Sequence, residues 1–342
     1  MRIGFHAVTL ACALAGSSAQ AFPIQINIPV NDIAFSTQTG MLYATVPSQA
    51  GLTYGNRLIE IDPETGAITR SVFVGSEPNV IAISPDADVA YVGLDGAGAV
   101  RPVDLVTISA GTQFSLGASS FFGTYYANDI AVLPGSPGTV VVALRVNGVS
   151  PSYSGVVVFD EGVPRPVSVS ATSGVDTIGF GLLPETLYGY NNETSSFDLL
   201  RMTISDSGVS VAKSVPALIT GYGARILTDG DTIFGTSGAT VDGTQFHLIG
   251  TYQISDYNYY GYGSRMALDK SYDYVQFAVD DTIAAYDRET FIPTYVTTTA
   301  ASGHVVGAAN CGAACLAVAY TSSLILIFHD VVHDEIFAGT FD

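Results

Sequence analysis

The stretch Val80-Ile-Ala-Ile-Ser84 is a short apolar run of the kind that forms a buried β-strand, and the chain repeats it. Similar runs begin at Asp32, Asp129, Thr177, Arg225, Arg265 and Val305. Successive starting positions are 48, 49, 48, 48, 40 and 40 residues apart. A repeat of about 40 to 50 residues is the length of one propeller blade. We therefore predict an all-β fold, a seven-bladed β-propeller with four-stranded antiparallel blades.

The ends of the chain decide how such a ring closes. Antiparallel blades hide their edges only when the last blade takes a strand from each end of the chain, so we expect the N- and C-terminal segments to pair. Two segments compete for the outer strand of that blade. Residues 22–30 precede the first repeat, and residues 335–341 follow the last one. We favour the N-terminal segment.

The first 21 residues have the three parts of a secretory signal peptide. Arg2 supplies the positive start, an apolar run follows it, and Ala19 and Ala21 are the small residues of a cleavage site. We expect residues 1–21 to be a signal peptide and residues 22–342 to form a single propeller domain. No later stretch is apolar for long enough to span a bilayer as a helix. The predicted location is periplasmic, extracellular or on the cell surface.

The chain is acidic, with a formal charge of −19 that becomes −20 when the signal peptide is removed. A field of this sign repels polyphosphate backbones, so we predict no nucleic-acid binding. Charged residues make up 13% of the chain and apolar residues 48%. That balance is typical of a well-filled core and argues against a disordered acidic protein.

Two cysteines, Cys311 and Cys315, remain after removal of the signal peptide. In an oxidising compartment this pair can close a small loop across a turn between strands. A local disulfide is our main expectation. A redox-active pair and two reduced structural thiols are the alternatives.

Four segments of the first repeats carry a resemblance to a known family: Ile61-Asp-Pro-Glu-Thr-Gly66, Val72-Phe-Val-Gly-Ser-Glu-Pro-Asn79, Ile81-Ala-Ile-Ser-Pro-Asp86 and Ala90-Tyr-Val-Gly93. They resemble the YVTN-type β-propeller repeats of bacterial exported and surface proteins, within the wider quinoprotein-like superfamily. The resemblance is close over residues 31–117 and weaker afterwards. It implies the propeller fold and export, and it transfers architecture better than activity.

Composition argues against a cofactor or a metal. Propeller dehydrogenases that use pyrroloquinoline quinone typically stack it on tryptophan, and this chain has none. The predicted mature chain has four histidines, too few for the copper clusters of propeller reductases. On a strand, His329 and His333 would lie roughly 13 Å apart, too far to share a metal. We predict no cofactor and no metal site.

The inner strands of such a propeller begin on one face of the disc, where their first residues line the mouth of the central channel. The candidate ligand-binding residues at these positions are Asp32, Asn79, Asp129, Asp176, Arg225, Arg265 and His304. Arg225 and Arg265 occupy equivalent positions on adjacent blades, so they need a counter-charge. That charge is either a protein carboxylate, such as Asp256, or the carboxylate or phosphate of an anionic ligand.

The same face carries the long loops, and these loops are rich in tyrosine. The candidate interaction residues are Tyr54, Tyr125, Tyr126, Tyr257, Tyr259, Tyr260 and Tyr262. An exposed tyrosine offers a flat ring with a polar tip, which suits sugar rings and protein partners. The alternative is that these rings pack flat over the seams between blades.

We predict a ligand- or protein-binding module that acts through its long-loop face without catalysis. Its partner would be a protein, a glycan or a small anionic molecule. The alternative is a lactonase-like hydrolase at the channel mouth, for which Asp129, Arg225 and His304 are the candidate base and electrophilic groups. The sequence contains no Gly-x-Ser-x-Gly nucleophile motif.

Overall fold

The computed structural model describes residues 22–254 and 263–331, which form seven antiparallel sheets around a central channel. Each sheet is one blade, with an inner strand at the channel and an outer strand at the rim. The prediction of an all-β, seven-bladed propeller with four-stranded blades is confirmed. The predicted signal peptide, four of the candidate tyrosines and the competing C-terminal segment lie outside the described residues.

Blades 1 to 4 follow one another along the chain, each built from its inner strand outwards. Blade 1 consists of Asp32–Ser36, Met41–Val46, Arg57–Ile61 and Ile68–Phe73. Blade 2 consists of Pro78–Ile83, Val89–Leu94 and Ala99–Asp104, with Ser109–Ala110 and Phe114–Ser115 sharing the outer position. Blade 3 consists of Tyr126–Val132, Thr139–Arg145, Tyr153–Asp160 and Val163–Pro164. Blade 4 consists of Thr177–Phe180, Thr186–Tyr190, Leu199–Ser205 and Gly208–Val215.

The last three blades have the same order. Blade 5 consists of Ile226–Asp229, Thr232–Gly235, Ala239–Asp242 and His247–Thr251. Blade 6 consists of Ser264–Asp269, Tyr274–Val279, Thr282–Asp287 and Pro293–Thr298. Blade 7 consists of Val305–Asn310, Leu316–Tyr320, Leu324–Phe328 and, at its rim, Ile24–Asn27.

The blades contain most of the regular secondary structure of the described chain. A small hairpin, Ala118–Ser119 with Gly123–Thr124, stands between blades 2 and 3. The helical turns are Ser48–Ala50, Gly51–Tyr54 and Ala171–Ser173. Within residues 22–254 and 263–331, no helix has the length and apolar character needed to cross a membrane.

The ring closes through the N-terminal segment. Ile24–Asn27 pairs antiparallel with the third strand of blade 7, and Ile24 lies opposite Ile327. The expected pairing of the two ends of the chain is therefore confirmed, with the N-terminal segment as the outer strand. This pairing joins blade 7 to the start of blade 1, so the sheet edges there are covered.

A hydrophobic seam fills each junction between neighbouring blades. The seam between blades 3 and 4, for example, packs Val141 and Val156 against Leu187 and Leu200. The second strands are buried on both faces because each lies between two seams, as in Leu316–Tyr320. These strands are rich in β-branched, aromatic and small residues, which suit a sheet packed on both sides.

The two faces of the disc differ in loop length. We call the face on which the inner strands begin the long-loop face. Connections of ten or more residues, such as 47–56, 165–176 and 216–225, lie on it. The connections between described strands on the opposite, short-turn face have six residues or fewer.

Many aspartates of the short-turn face cap their own turns. Asp104 accepts a hydrogen bond from the backbone N–H of Thr107 at 2.7 Å, and Asp287 accepts one from Thr290 at 2.8 Å. These hydrogen bonds lower the pKa of both carboxyl groups because they stabilise the ionised form. Part of the acidity of the chain is therefore structural.

Candidate functional site

The candidate site is the central channel, a cavity of about 730 Å³ that the inner strands surround. Five of the seven predicted mouth residues line it: Asp32, Asn79, Asp129, Arg225 and Arg265. Four of them are ionisable, two acids from blades 1 and 3 and two bases from blades 5 and 6. The site is therefore a ring of opposed charges at the start of the inner strands.

Asp32 and Asp129 join each of their blades to the next one. One carboxylate oxygen of Asp32 accepts the N–H of Ile33 at 2.9 Å, and the other accepts the N–H of Ile81 in blade 2 at 3.2 Å. Asp129 repeats the pattern with Ile130 at 3.1 Å and with Ile178 of blade 4 at 2.9 Å. Both acids therefore have a structural role, whatever they bind.

Asp129 also forms the ion pair of the mouth. An Nη atom of Arg225 lies 3.1 Å from its Oδ1, which links blade 5 to blade 3. The pair is largely shielded, because 27% of the Arg225 side chain and 13% of the Asp129 side chain are exposed. Arg225 thus has a protein counter-charge.

Arg265 is held differently. Its Nε donates to the carbonyl of Val306 at 3.0 Å, and an Nη donates to the carbonyl of Ser264 at 2.9 Å. Among the described residues, no carboxylate lies within the 4.0 Å that defines an ion pair with this guanidinium. Burial and the neighbouring positive charge of Arg225 lower the pKa of Arg265 to about 10. Arg265 is therefore a charged side chain fixed by neutral acceptors.

Burial also affects the acids of the mouth. It raises the pKa of Asp32 to about 6, against the opposing effects of Arg225 and Arg265. It raises the pKa of Asp129 as well, although Arg225 again opposes the shift. Desolvation at the channel wall therefore destabilises the charged forms of both the acids and Arg265. A charged ligand can bind there only if an opposite charge of the wall pairs with it.

Asn79 connects the mouth to a second ion pair. Its side-chain amide donates to Asp95 at 3.1 Å, and Asp95 also binds Arg145 at 2.5 Å. Arg145 lies over the ring of Tyr126, 5.3 Å from the ring centre. Our sequence interpretation missed Asp95 and Arg145, which end the second strands and carry no signal in the inner-strand repeat.

Asp176 and His304 do not line the channel. Asp176 is fully buried, and one of its oxygens accepts the N–H of Asn192 at 2.9 Å, while the other has no hydrogen-bond partner among residues 22–254 and 263–331. Burial raises its pKa to about 7, and the nearby Glu193 adds to the shift. His304 lies in a separate surface depression of about 360 Å³, with its Nδ1 3.1 Å from Asp280.

The described candidate tyrosines are partly covered. Tyr54 packs against the seam between blades 7 and 1, and Tyr125 packs against the seam between blades 2 and 3. Large apolar side chains that are exposed on the long-loop face include Leu52, Phe121 and Phe122. The candidates Tyr257, Tyr259, Tyr260 and Tyr262 lie in the stretch 255–262, outside the described residues.

The cysteines lie away from the channel mouth. Cys311 and Cys315 form a disulfide across the turn between the inner and second strands of blade 7, with their Cα atoms 5.0 Å apart. Both side chains are buried in the seam between blades 7 and 1. The bond therefore ties a turn of the short-turn face.

Comparisons with known proteins support the architecture. No family model matches the chain, and no curated protein sequence matches it. Among solved structures, the hydrazine synthase of Kuenenia stuttgartiensis is similar, with a TM-score of 0.68 and 14% identity over 94% of this chain and 100% of that chain. At this identity the likeness shows the fold alone. The YVTN-type relationship stays a prediction.

Proposed function

We propose that this protein is an exported ligand-binding module that holds a small anionic ligand at the channel mouth and has no catalytic activity of its own. The observation that carries the proposal is Arg265, which lines an open channel beside a second arginine and has no ion-pair partner among the described residues. A half-buried cation of this kind is stabilised by an anion that enters the cavity.

The ring geometry sharpens this argument. Arg225 reaches from blade 5 to Asp129 of blade 3, two blades away. Arg265 of blade 6 and Asp32 of blade 1 are also two blades apart, but no ion pair within 4.0 Å joins them. The mouth thus has one closed pair and one open pair. An anion bound at the open pair would pair with Arg265, which has no ion-pair partner among the described residues; Asp256, the alternative counter-charge, lies outside them.

The geometry favours binding over hydrolysis. The three residues considered for a hydrolase do not converge, because His304 lies in its own depression beside Asp280. Asp129 already accepts two backbone N–H groups and the guanidinium of Arg225. Both oxygens of this carboxylate therefore already accept protein donors, which leaves it poorly placed to take a proton from a substrate.

A thermal-shift screen of residues 22–342 tests the proposal with small carboxylates, inorganic phosphate and neutral sugars. A ligand that binds only the native state raises the melting temperature. We expect anions to raise it in the wild type and to lose at least half of that shift in Arg265→Gln.

The matched control is Lys270→Gln. Lys270 lines the far end of the same channel and pairs with Asp229 at 2.6 Å, so its loss removes one positive charge without changing the mouth. Equal anion shifts in the wild type and in Arg265→Gln, or shifts with neutral sugars alone, would contradict the proposal. The second result would point to the exposed side chains of the long-loop face.

A further inference from the structure

Below the charged ring, apolar side chains line part of the channel wall: Ile83, Val132, Phe180, Leu227 and Ala308. The ion pair of Asp229 and Lys270 lies beyond them, at the short-turn end. A ligand with its charged head at the mouth would therefore place an apolar tail beside apolar side chains. An apolar group in this space would displace water from these walls, and that burial is favourable.

The size of the lumen fits a slender molecule. An inner strand of five or six residues is roughly 16 to 20 Å long, so the volume of about 730 Å³ corresponds to a mean cross-section of roughly 40 Å². An extended alkyl chain or a single ring fits within that area. A folded polymer or a branched glycan does not.

The charges of the mouth limit the charge of the ligand. Asp32 and Asp129 balance Arg225 and Arg265, so a monoanion leaves one excess negative charge and a dianion leaves two. The chain as a whole is strongly acidic and disfavours the dianion further. The planar guanidinium of Arg265 matches a carboxylate, which accepts two parallel hydrogen bonds.

We propose that the channel binds a monocarboxylate with an apolar tail, its carboxylate at Arg265 and its tail between the inner strands. The inference rests on the proposed function and adds the class of ligand. It assigns the channel interior as a second part of the site, beyond the mouth residues.

Asp32 gives the site a pH dependence. It faces Arg225 and Arg265, and the other ionisable groups at this end are Asp129, the Asp95–Arg145 pair behind Asn79, and the buried Asp176. Protonation of Asp32 as the pH falls toward its pKa of about 6 removes a negative charge that repels the ligand. Affinity for a carboxylate therefore rises from pH 8 to pH 6.

Isothermal titration with octanoate, acetate, 1-octanol and inorganic phosphate tests the inference on residues 22–342. We expect octanoate to bind at least about tenfold more tightly than acetate, because its tail is buried. It should also bind more tightly than 1-octanol, which lacks the charge. Arg265→Gln should weaken octanoate about tenfold, and Lys270→Gln should change it less than about twofold.

Two further variants separate the head from the tail. Ala308→Leu narrows the lumen, so it should weaken octanoate and leave acetate unchanged. Asp32→Asn should raise octanoate affinity at pH 8 and remove most of the gain between pH 8 and pH 6. The melting temperature of each variant checks that it folds.

The outcomes distinguish the two proposals. If acetate or phosphate binds in a way that depends on Arg265 but octanoate has no higher affinity than acetate, the inference of an apolar tail is wrong. The proposed function is still supported in that case. Octanoate binding that is the same in the wild type and in Arg265→Gln places the molecule elsewhere and overturns the inference. Failure of every anion to bind overturns both.

Discussion

Asp32 and Asp129 occupy the same position in blades 1 and 3, and they differ in one contact. Each accepts its own following N–H and an N–H of the next blade. Only Asp129 adds an ion pair, with Arg225. Arg265 is also two blades from Asp32, in the opposite direction around the ring, but it binds two backbone carbonyls instead. Equivalent positions of the repeat thus differ in their contacts. We call the Asp129–Arg225 pair the closed side of the mouth, and Asp32 with Arg265 the open side.

The two sides of the mouth should therefore have different roles, the closed side in stability and the open side in binding. The closed side braces blade 3 against blade 5 across the channel, and its charges are already satisfied. The open side leaves a guanidinium whose charge has no described carboxylate beside it. Substitutions on the closed side should therefore cost stability, whereas those on the open side should change binding.

The largest expected effect is that of Asp129→Asn. It leaves the shielded guanidinium of Arg225 without its carboxylate, and we expect the free energy of unfolding to fall by about 2 to 3 kcal/mol. Asp32→Asn keeps an acceptor for a backbone N–H and breaks no ion pair, so it should cost about 1 kcal/mol. Urea denaturation at pH 7 measures both. Equal losses would remove the distinction between the two sides.

The arginines provide the next test, with a smaller effect. Arg225→Gln should lower the free energy of unfolding by about 2 kcal/mol, because it leaves the charge of Asp129 uncompensated. Arg265→Gln should change it by less than about 1 kcal/mol, because the lost hydrogen bonds are offset by the removal of a desolvated charge. A larger loss in Arg265→Gln would mean that the open side is structural too.

The last test concerns pH and the buried Asp176. Its pKa is about 7 in the folded protein and near 4 in the unfolded chain, so the folded state holds its proton more tightly. Stability contributed by this group is present at low pH and is lost as the pH rises from about 4 to 7. Asparagine does not titrate, so Asp176→Asn does not lose stability in this way. The free energy of unfolding of the variant relative to wild type should therefore rise by up to about 1.4 kcal/mol per pH unit between pH 5 and 7.

Asp104→Asn is the control for that measurement. The pKa of Asp104 is lowered by the turn it caps, so it stays ionised throughout this range. Its variant should differ from wild type by a constant amount in urea denaturation at pH 5, 6, 7 and 8. Parallel profiles for both variants would contradict a raised pKa of Asp176.

The repeat predicted the fold and part of the site. Period and strand topology place the first residues of the inner strands at one mouth, so Asp32, Asp129, Arg225 and Arg265 could be grouped from the sequence. In blades 4 and 7, the aligned first positions are Thr177 and Val305. The candidates chosen there, Asp176 and His304, do not line the channel, although Asn79 at the same offset in blade 2 does. Asp176 is buried against the N–H of Asn192, and His304 lies beside Asp280, and the repeat encodes neither contact.

Other features depend on contacts that no period encodes. Tyr126 lies beneath Arg145, and Tyr54 and Tyr125 pack against seams, because a ring beside a partly covered cleft gains more from burial than from exposure. Side-chain geometry at the mouth determines that Arg265 donates a hydrogen bond to the carbonyl of Val306 and forms no ion pair with Asp32. A repeat pattern of this kind predicts which residues lie close together. It does not predict which of them form hydrogen bonds or ion pairs.

The strand Ile24–Asn27 has a consequence for the order in which the molecule forms. Its partner in blade 7 lies about 300 residues later, since Ile24 pairs with Ile327. During synthesis, Ile24 and Ile26 can pack early against blade 1, beside Gly66, but the strand to which they hydrogen-bond is made only when nearly the whole chain is complete. Pairing of Ile24–Asn27 with blade 7 therefore has the largest entropic cost of loop closure among the strand pairings. We expect this ring-closing step to limit the folding rate.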